Sequence, residues 1–121
     1  MIEQIATVGI YVDDQEAALR FWVDRVGFEL RRRESMGRIG DWLEVAPPGA
    51  GSRLVIYPKA MMPDWAERKP SIVFECADCQ AAHARLRDAG VEFSSEPQPM
   101  AWGTFAIFRD PDGNDFGLKG P

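Results

Sequence analysis

Apolar residues along the chain fall into short alternating runs, and each half contains one stretch in which they recur at helical spacing instead. Residues 4–12 alternate and are rich in β-branched side chains, which predicts a strand. Asp13 and Asp14 then offer a helix N-cap, with Glu16 three positions after Asp13 as in a capping box. The helix that follows carries Ala18, Phe21, Trp22 and Val26 on one face and stops at Gly27. Three strand-like runs come next, at 28–33, 40–45 and 52–57, and Pro47-Pro48-Gly49-Ala50-Gly51 turns the chain between the last two.

The pattern then repeats. After a proline-bounded segment, 58–70, a strand at 71–76 leads to Asp78 as N-cap. A helix with Ala82, Leu86 and Ala89 on one face ends at Gly90, and strands follow at 91–95, 103–109 and 115–119. Asp110-Pro111-Asp112-Gly113-Asn114 reads as a hairpin turn, with proline presetting φ and glycine supplying a left-handed position. Asp14, Ala17, Ala18 and Gly27 overlay on Asp78, Ala81, Ala82 and Gly90, with one residue of slippage inside the helix. Neither half is large enough to bury a sheet and a helix alone. A single domain over 1–121 is therefore expected, with module one at about 1–58, a connection at 59–70 and module two at 71–121.

Charge and composition narrow the function. With 19 acids against 14 bases and a net charge of −5, the chain lacks the basic face of a general nucleic-acid binder. One histidine excludes a multi-histidine metal centre within one chain. Two cysteines do not make a secreted disulfide scaffold. The first basic residue is Arg20, so a basic-then-apolar leader is not expected. The longest apolar stretch, 5–12, is interrupted by Thr7 and is far short of the roughly 20 residues that span a bilayer. A cytoplasmic protein with no membrane or nucleic-acid partner is the expectation.

Three stretches resemble the vicinal oxygen chelate superfamily, which includes glyoxalase I, extradiol dioxygenases, and fosfomycin- and bleomycin-resistance proteins. They are Tyr11-Val12-Asp13-Asp14 through Phe21-Trp22 to Val26-Gly27-Phe28, the weaker echo from Ala81 to Ala89-Gly90-Val91, and Phe108-Arg109-Asp110-Pro111-Asp112-Gly113-Asn114. The last is the most specific. The resemblance implies an α+β fold of two βαβββ modules, a curved and incompletely closed mixed sheet around a concave cleft, and a homodimer.

Enzymes of that superfamily hold a divalent metal through His, Gln or Glu on the concave face. The resemblance places the corresponding positions at Thr7, Ser71, Gly117 and Leu54 or Val55. Neutral hydroxyls bind such cations weakly, and glycine and aliphatic residues do not bind them through side chains. Asp115, Glu75 and Glu44 lie nearby without an accompanying His or Gln, so no cofactor is expected. The resemblance thus supports the fold and weakens the enzymatic mechanism.

Strand alternation gives an independent view of the concave face. Ala6, Val8, Ile10 and Val12 should pack on the first helix, leaving Thr7, Gly9 and Tyr11 on the other side. Ile72, Phe74 and Cys76 should likewise pack inward, leaving Ser71, Val73 and Glu75. Trp42 shares a face with Glu44, and Trp102 shares one with Thr104. The expected ligand-binding set is Thr7, Tyr11, Trp42, Glu44, Tyr57, Ser71, Glu75, Trp102 and Thr104. Aromatic walls with a few acids suit a planar or cationic small molecule, and core or dimer packing is the alternative use of the same aromatics.

Other constellations compete. Cys76-Ala77-Asp78-Cys79 has thiol-redox spacing at a helix start, against which stands cysteine's ordinary use as a small hydrophobe. Cys79 and His83 are one helical turn apart with Cys76 close by, the makings of a Cys2His zinc site, but an obvious fourth ligand is lacking. Arg31-Arg32-Arg33 reads as a solvated edge strand, with an anion contact as the alternative. Met61-Met62-Pro63-Asp64-Trp65 is apolar for a linker and reads as a lid or a dimer contact.

The leading expectation is a metal-independent binding protein that sequesters a small molecule. The alternatives are a divergent metal-dependent lyase, isomerase or dioxygenase, and a thiol-redox protein using Cys76 and Cys79.

Overall fold

A computed structural model describes residues 1–121 and divides into two compact units, Met1–Pro70 and Ser71–Pro121. The fold is α+β, with two mixed sheets, neither closed into a barrel. No helix is long and apolar enough to cross a membrane.

In the first unit, β1 (Thr7–Val12) runs parallel to β4 (Arg53–Pro58), from Thr7 opposite Arg53 to Val12 opposite Pro58. β4 is antiparallel to β3 (Asp41–Ala46), which is antiparallel to β2 (Glu29–Ser35), giving the order β1-β4-β3-β2. The strand expected from residue 4 begins at Thr7, because β4 supplies paired residues only from Arg53 onward. Alternation is as expected. Ile10, Val12, Leu43, Val45, Leu54 and Ile56 are buried with Ala18, Phe21 and Trp22 of the helical segment.

That segment differs from a plain helix. Asp14, in an extended conformation, caps α1 (Gln15–Arg20) by accepting from the Ala17 amide at 3.1 Å. The expected capping box does not form: Asp13 pairs with Lys59 at 3.1 Å, and Glu16 pairs with Arg33. From Phe21 to Val26 the helix widens into a π turn ended by Gly27 at φ 94°. Phe21 and Trp22, consecutive, are both buried there, whereas regular helical neighbours point about 100° apart.

Gln15 ties this helix to the sheet. Its amide nitrogen donates to the carbonyls of Asp41 (2.8 Å) and Ile56 (2.7 Å), and its oxygen accepts from the Asp41 amide (2.9 Å). One side chain thus joins α1 to β3 and β4.

The triple arginine lies on the edge strand, as expected, but its members diverge. The register of β2 shifts between Leu30 and Arg32, which turns Arg31 out of the alternation. Arg31 donates to the carbonyls of Pro47 (2.8 Å) and Ala50 (3.1 Å), pinning the β3–β4 turn. Arg33 pairs with Asp41 at 2.9 Å and with Glu16, while Arg32, the next residue along the strand, pairs with Glu34 at 2.9 Å and Glu44 at 3.7 Å on the other face. The segment after β4 forms two short 3₁₀ turns, Lys59–Met61 and Trp65–Glu67. The Lys59 ammonium lies 4.1 Å from the centre of the Trp65 ring, which holds the turns together.

The second unit repeats the topology. β5 (Val73–Glu75) runs parallel to β9 (Asp115–Gly120), which is antiparallel to β8 (Gly103–Arg109). The strand expected at 91–95 is shortened to β6 (Glu92–Phe93), and a further strand that was not expected, β7 (Gln98–Met100), pairs with the same edge of β8. Pro97, with no N–H to donate, lies between them, and Pro99 is tolerated because β7 is an edge strand. α2 (Cys79–Asp88) is capped by Asp78, which accepts from the Ala81 amide at 3.1 Å, and Gly90 at φ 92° follows it. Phe74, Phe108 and Phe116 stack at centroid separations of 5.5 to 6.1 Å. The hairpin turn is organised by buried Asp110, whose carboxylate accepts from the amides of Asp112 (3.1 Å) and Asn114 (2.8 Å) and from the Asn114 side chain (3.0 Å). Burial pushes that carboxyl up, and the Asn114 bonds partly offset it.

Replacing Gln15 by alanine strands part-buried backbone groups of β3 and β4 and is expected to cost about 1–3 kcal/mol. Gln15→Glu, which points acceptors at two carbonyls, should cost at least as much. Urea unfolding at neutral pH measures both.

Candidate functional site

The side of the first sheet opposite α1 carries Thr7, Gly9 and Tyr11 from β1, Arg53, Val55 and Tyr57 from β4, and Trp42 and Glu44 from β3. This follows from the pairings Thr7–Arg53, Gly9–Val55, Tyr11–Tyr57 and Glu44–Val55. Arg32 of β2 stands opposite Glu44, and Glu34 opposite Trp42. Five expected residues, Thr7, Tyr11, Trp42, Glu44 and Tyr57, therefore share one face.

The aromatics are in mutual contact. Tyr11 and Tyr57 stack at 5.4 Å and 18°, and Trp42 meets Tyr57 edge-on at 5.5 Å and 85°. Gly9 makes room for this: a Cβ there would stand 2.7 Å from the Tyr57 ring. Burial pushes the Tyr57 phenol up, and Tyr11 and Glu44 add to the shift. At neutral pH it is a hydrogen-bond donor.

Glu44 is 4% exposed and fully engaged. It accepts from Trp42 Nε1 at 2.6 Å and from Arg53 Nη1 at 2.8 Å, and Arg32 Nη1 lies 3.7 Å away. Burial alone pushes its carboxyl up. The hydrogen bonds from Arg53 and Trp42, with the charges of Arg53 and Arg32, outweigh that and hold it below the usual carboxylate range. Arg53 and Arg32 were not among the expected site residues. The signal was available for Arg53, which has the same strand parity as Tyr57. The bulge at Arg31 hid Arg32.

In the second unit Val73, Glu75, Phe105, Ile107, Gly117 and Lys119 share the side opposite α2. Glu75, largely exposed, faces Lys119 at 3.6 Å, and Ser71 is exposed just before β5. The expected pairing of Trp102 with Thr104 is not formed. Thr104 lies opposite Gly120 and alternates onto the side of Ala106 and Phe108, where its hydroxyl donates to the Pro121 carbonyl at 3.1 Å. Trp102 sits in the turn before β8 and packs edge-on against Phe105 at 5.6 Å. Gly103, at φ 140° and in close approach to Gly120, breaks the alternation between them.

A family model described as the glyoxalase/bleomycin resistance protein/dioxygenase superfamily matches residues 4–118. The chain belongs to this superfamily. It is 53% identical over 119 residues to the uncharacterised protein YetH of Bacillus subtilis (strain 168), covering 98% of this chain and 99% of YetH. Among solved structures, it is similar to TnmS3, an antibiotic binding protein from Streptomyces sp. CB03234 (36% identity, TM-score 0.84, 99% and 97% of the two chains covered). A superfamily member from Sphaerobacter thermophilus DSM 20745 is 32% identical with a TM-score of 0.88, covering 99% and 98% of the two chains.

The metal centre of the superfamily's enzymes does not fit the residues present. In the first unit the candidate positions offer the Thr7 hydroxyl and the buried aliphatics Leu54 and Val55. In the second they offer Ser71 and Gly117, and a Cβ at 117 would already be 2.9 Å from the Phe105 ring. No three His, Cys, Asp or Glu side chains converge to hold an ion. His83 is buried on α2, edge-on to Phe93 at 4.4 Å.

The cysteines are free thiols. Cys79 is buried with Sγ 3.8 Å from the Leu118 carbonyl, and Cys76 Sγ donates to the Lys119 carbonyl at 3.4 Å. Burial pushes both thiols up, and for Cys76 the neighbouring Cys79 pushes in the same direction. Both sit away from the thiolate state that redox chemistry needs.

Two outcomes are expected. A carboxyl held below its unfolded value contributes stability above the ordinary carboxylate pKa, and this is lost as pH falls through the folded value. Urea midpoints measured from neutral pH to about pH 3 should therefore fall more steeply for the wild type than for Glu44→Gln, which starts lower. Both thiols should react slowly with a disulfide reagent in the native protein and promptly in denaturant. Rapid native labelling at neutral pH would restore the redox reading.

Proposed function

We propose that this protein binds and sequesters a planar small molecule without catalysis and without a metal, on the aromatic face formed by Tyr11, Trp42 and Tyr57. The observation that carries the proposal is the ordered row of these rings, with Gly9 giving Tyr57 its seat. Rings already held in place lose little entropy when a flat ligand stacks on them. The donor set at the metal positions, a pair of hydroxyls with glycine and aliphatics, supports binding over metal-assisted chemistry. The similarity to an antibiotic binding protein across nearly the whole chain supports the same reading. The protein acts as a homodimer in this proposal, and exposed Val73, Met100 and Trp102 supply apolar surface for such an association.

Titrating the protein with naphthalene, anthracene and acridine derivatives, read by tryptophan fluorescence and thermal shift, tests the proposal. Saturable quenching and a raised Tm are expected, with affinity falling about tenfold or more in Trp42→Ala. Unchanged fluorescence and Tm across the panel would overturn the binding role. Stoichiometric nickel, zinc, iron or manganese in protein purified without chelator would overturn metal independence.

A further inference from the structure

We propose that Arg53 makes the aromatic face selective for planar compounds carrying an anionic or strongly electron-rich oxygen, and against cations. The inference rests on the binding role above and assigns the chemical class of its ligand. The sheet face has two ends. Tyr11, Tyr57 and Trp42 form the aromatic end. Thr7 and Arg53 stand opposite each other at the other end, the Thr7 hydroxyl exposed and the Arg53 side chain 41% exposed.

Glu44 lies between these ends, and it is the acid that would have to attract a cation. Its oxygens are already taken by Arg53 and by the Trp42 indole, with Arg32 nearby, and it is almost wholly buried. A cationic ligand would compete with two guanidiniums for one enclosed carboxylate. Arg53, by contrast, spends only Nη1 on Glu44; its Nε and Nη2 make no hydrogen bond within the chain. A guanidinium held by one edge presents the rest of its planar donor fork in a fixed direction, the arrangement that suits a carboxylate, phenolate or quinone-type oxygen. The Thr7 hydroxyl adds a donor beside it. Arg32 and Glu34 offset each other, Glu34 accepting from Arg32 Nε at 3.1 Å and Nη2 at 2.9 Å, so the face's other acid is also engaged and Arg53 is left as the donor.

The test compares three probes with the same ring system: anthracene carboxylate, anthracene carboxamide and aminomethyl anthracene. Their affinities for the full-length protein are measured by fluorescence at low and high salt. The carboxylate is expected to bind about tenfold more tightly than the carboxamide, with the ammonium probe weakest and the preference shrinking at high salt. Arg53→Gln leaves Glu44 buried without its main partner and is at risk of unfolding. The double variant Glu44→Gln/Arg53→Gln removes both charges together while leaving a carbonyl acceptor for the Trp42 indole, and its carboxylate-to-carboxamide affinity ratio is expected to fall to about one. Equal affinities, or the ammonium probe binding most tightly, overturn the selectivity while leaving the aromatic-face role intact. A preference that survives in the folded double variant overturns the role of Arg53. Failure of all three probes to bind overturns the binding role itself, and this inference with it.

Discussion

Glu44 places a carboxylate in the middle of a sheet face that is otherwise aromatic and aliphatic, and a charge enclosed there persists only if its neighbours supply compensation. Three strands supply it. Trp42 comes from the same strand, Arg53 from β4 and Arg32 from β2, so the requirement couples three neighbouring strands through side chains as well as through their ladders. Fixing the Trp42 indole by its N–H also fixes the ring against which Tyr57 rests edge-on, and Tyr57 in turn positions Tyr11. The order of the aromatic row therefore follows from the burial of one acid.

On the opposite side of the same sheet, Gln15 performs a comparable task with neutral chemistry. Its carboxamide meets the backbone ends of β3 and β4 and holds α1 at the height where Ala18, Phe21 and Trp22 bury. One face is thus fixed by a charged network and the other by an amide clamp and a π turn. Side chains on the first face can then be replaced while helix packing on the second is left alone.

Much of this was readable from sequence. The repeated βαβββ order, the stops at Gly27 and Gly90, the hairpin at Asp110–Asn114 and the inward alternation of Ile10, Val12 and Phe74 all follow from local patterns of period two or period 3.6. Grouping Tyr11, Trp42, Glu44 and Tyr57 on one face needed only strand parity. What escaped depends on geometry that parity does not encode. The bulge at Arg31 gave three consecutive arginines three different tasks, and Gly103 separated Trp102 from Thr104. β7 was missed because Pro97 and Pro99 argue against a strand, and only its place on a sheet edge tolerates Pro99. Glu44 is legible in sequence as an acid near aromatics, but its compensation by Arg53 and Arg32 depends on cross-strand register and on the bulge at Arg31, which parity alone does not encode.

Gly117 is a position without a side chain whose space is nonetheless taken. A Cβ there would stand 2.9 Å from the Phe105 ring of the neighbouring strand. Introducing a histidine or glutamate would have to displace Phe105, and Trp102 rests on Phe105. Engineering a metal ligand at 117 is therefore a problem of several coordinated replacements, because ordinary packing closes the single step.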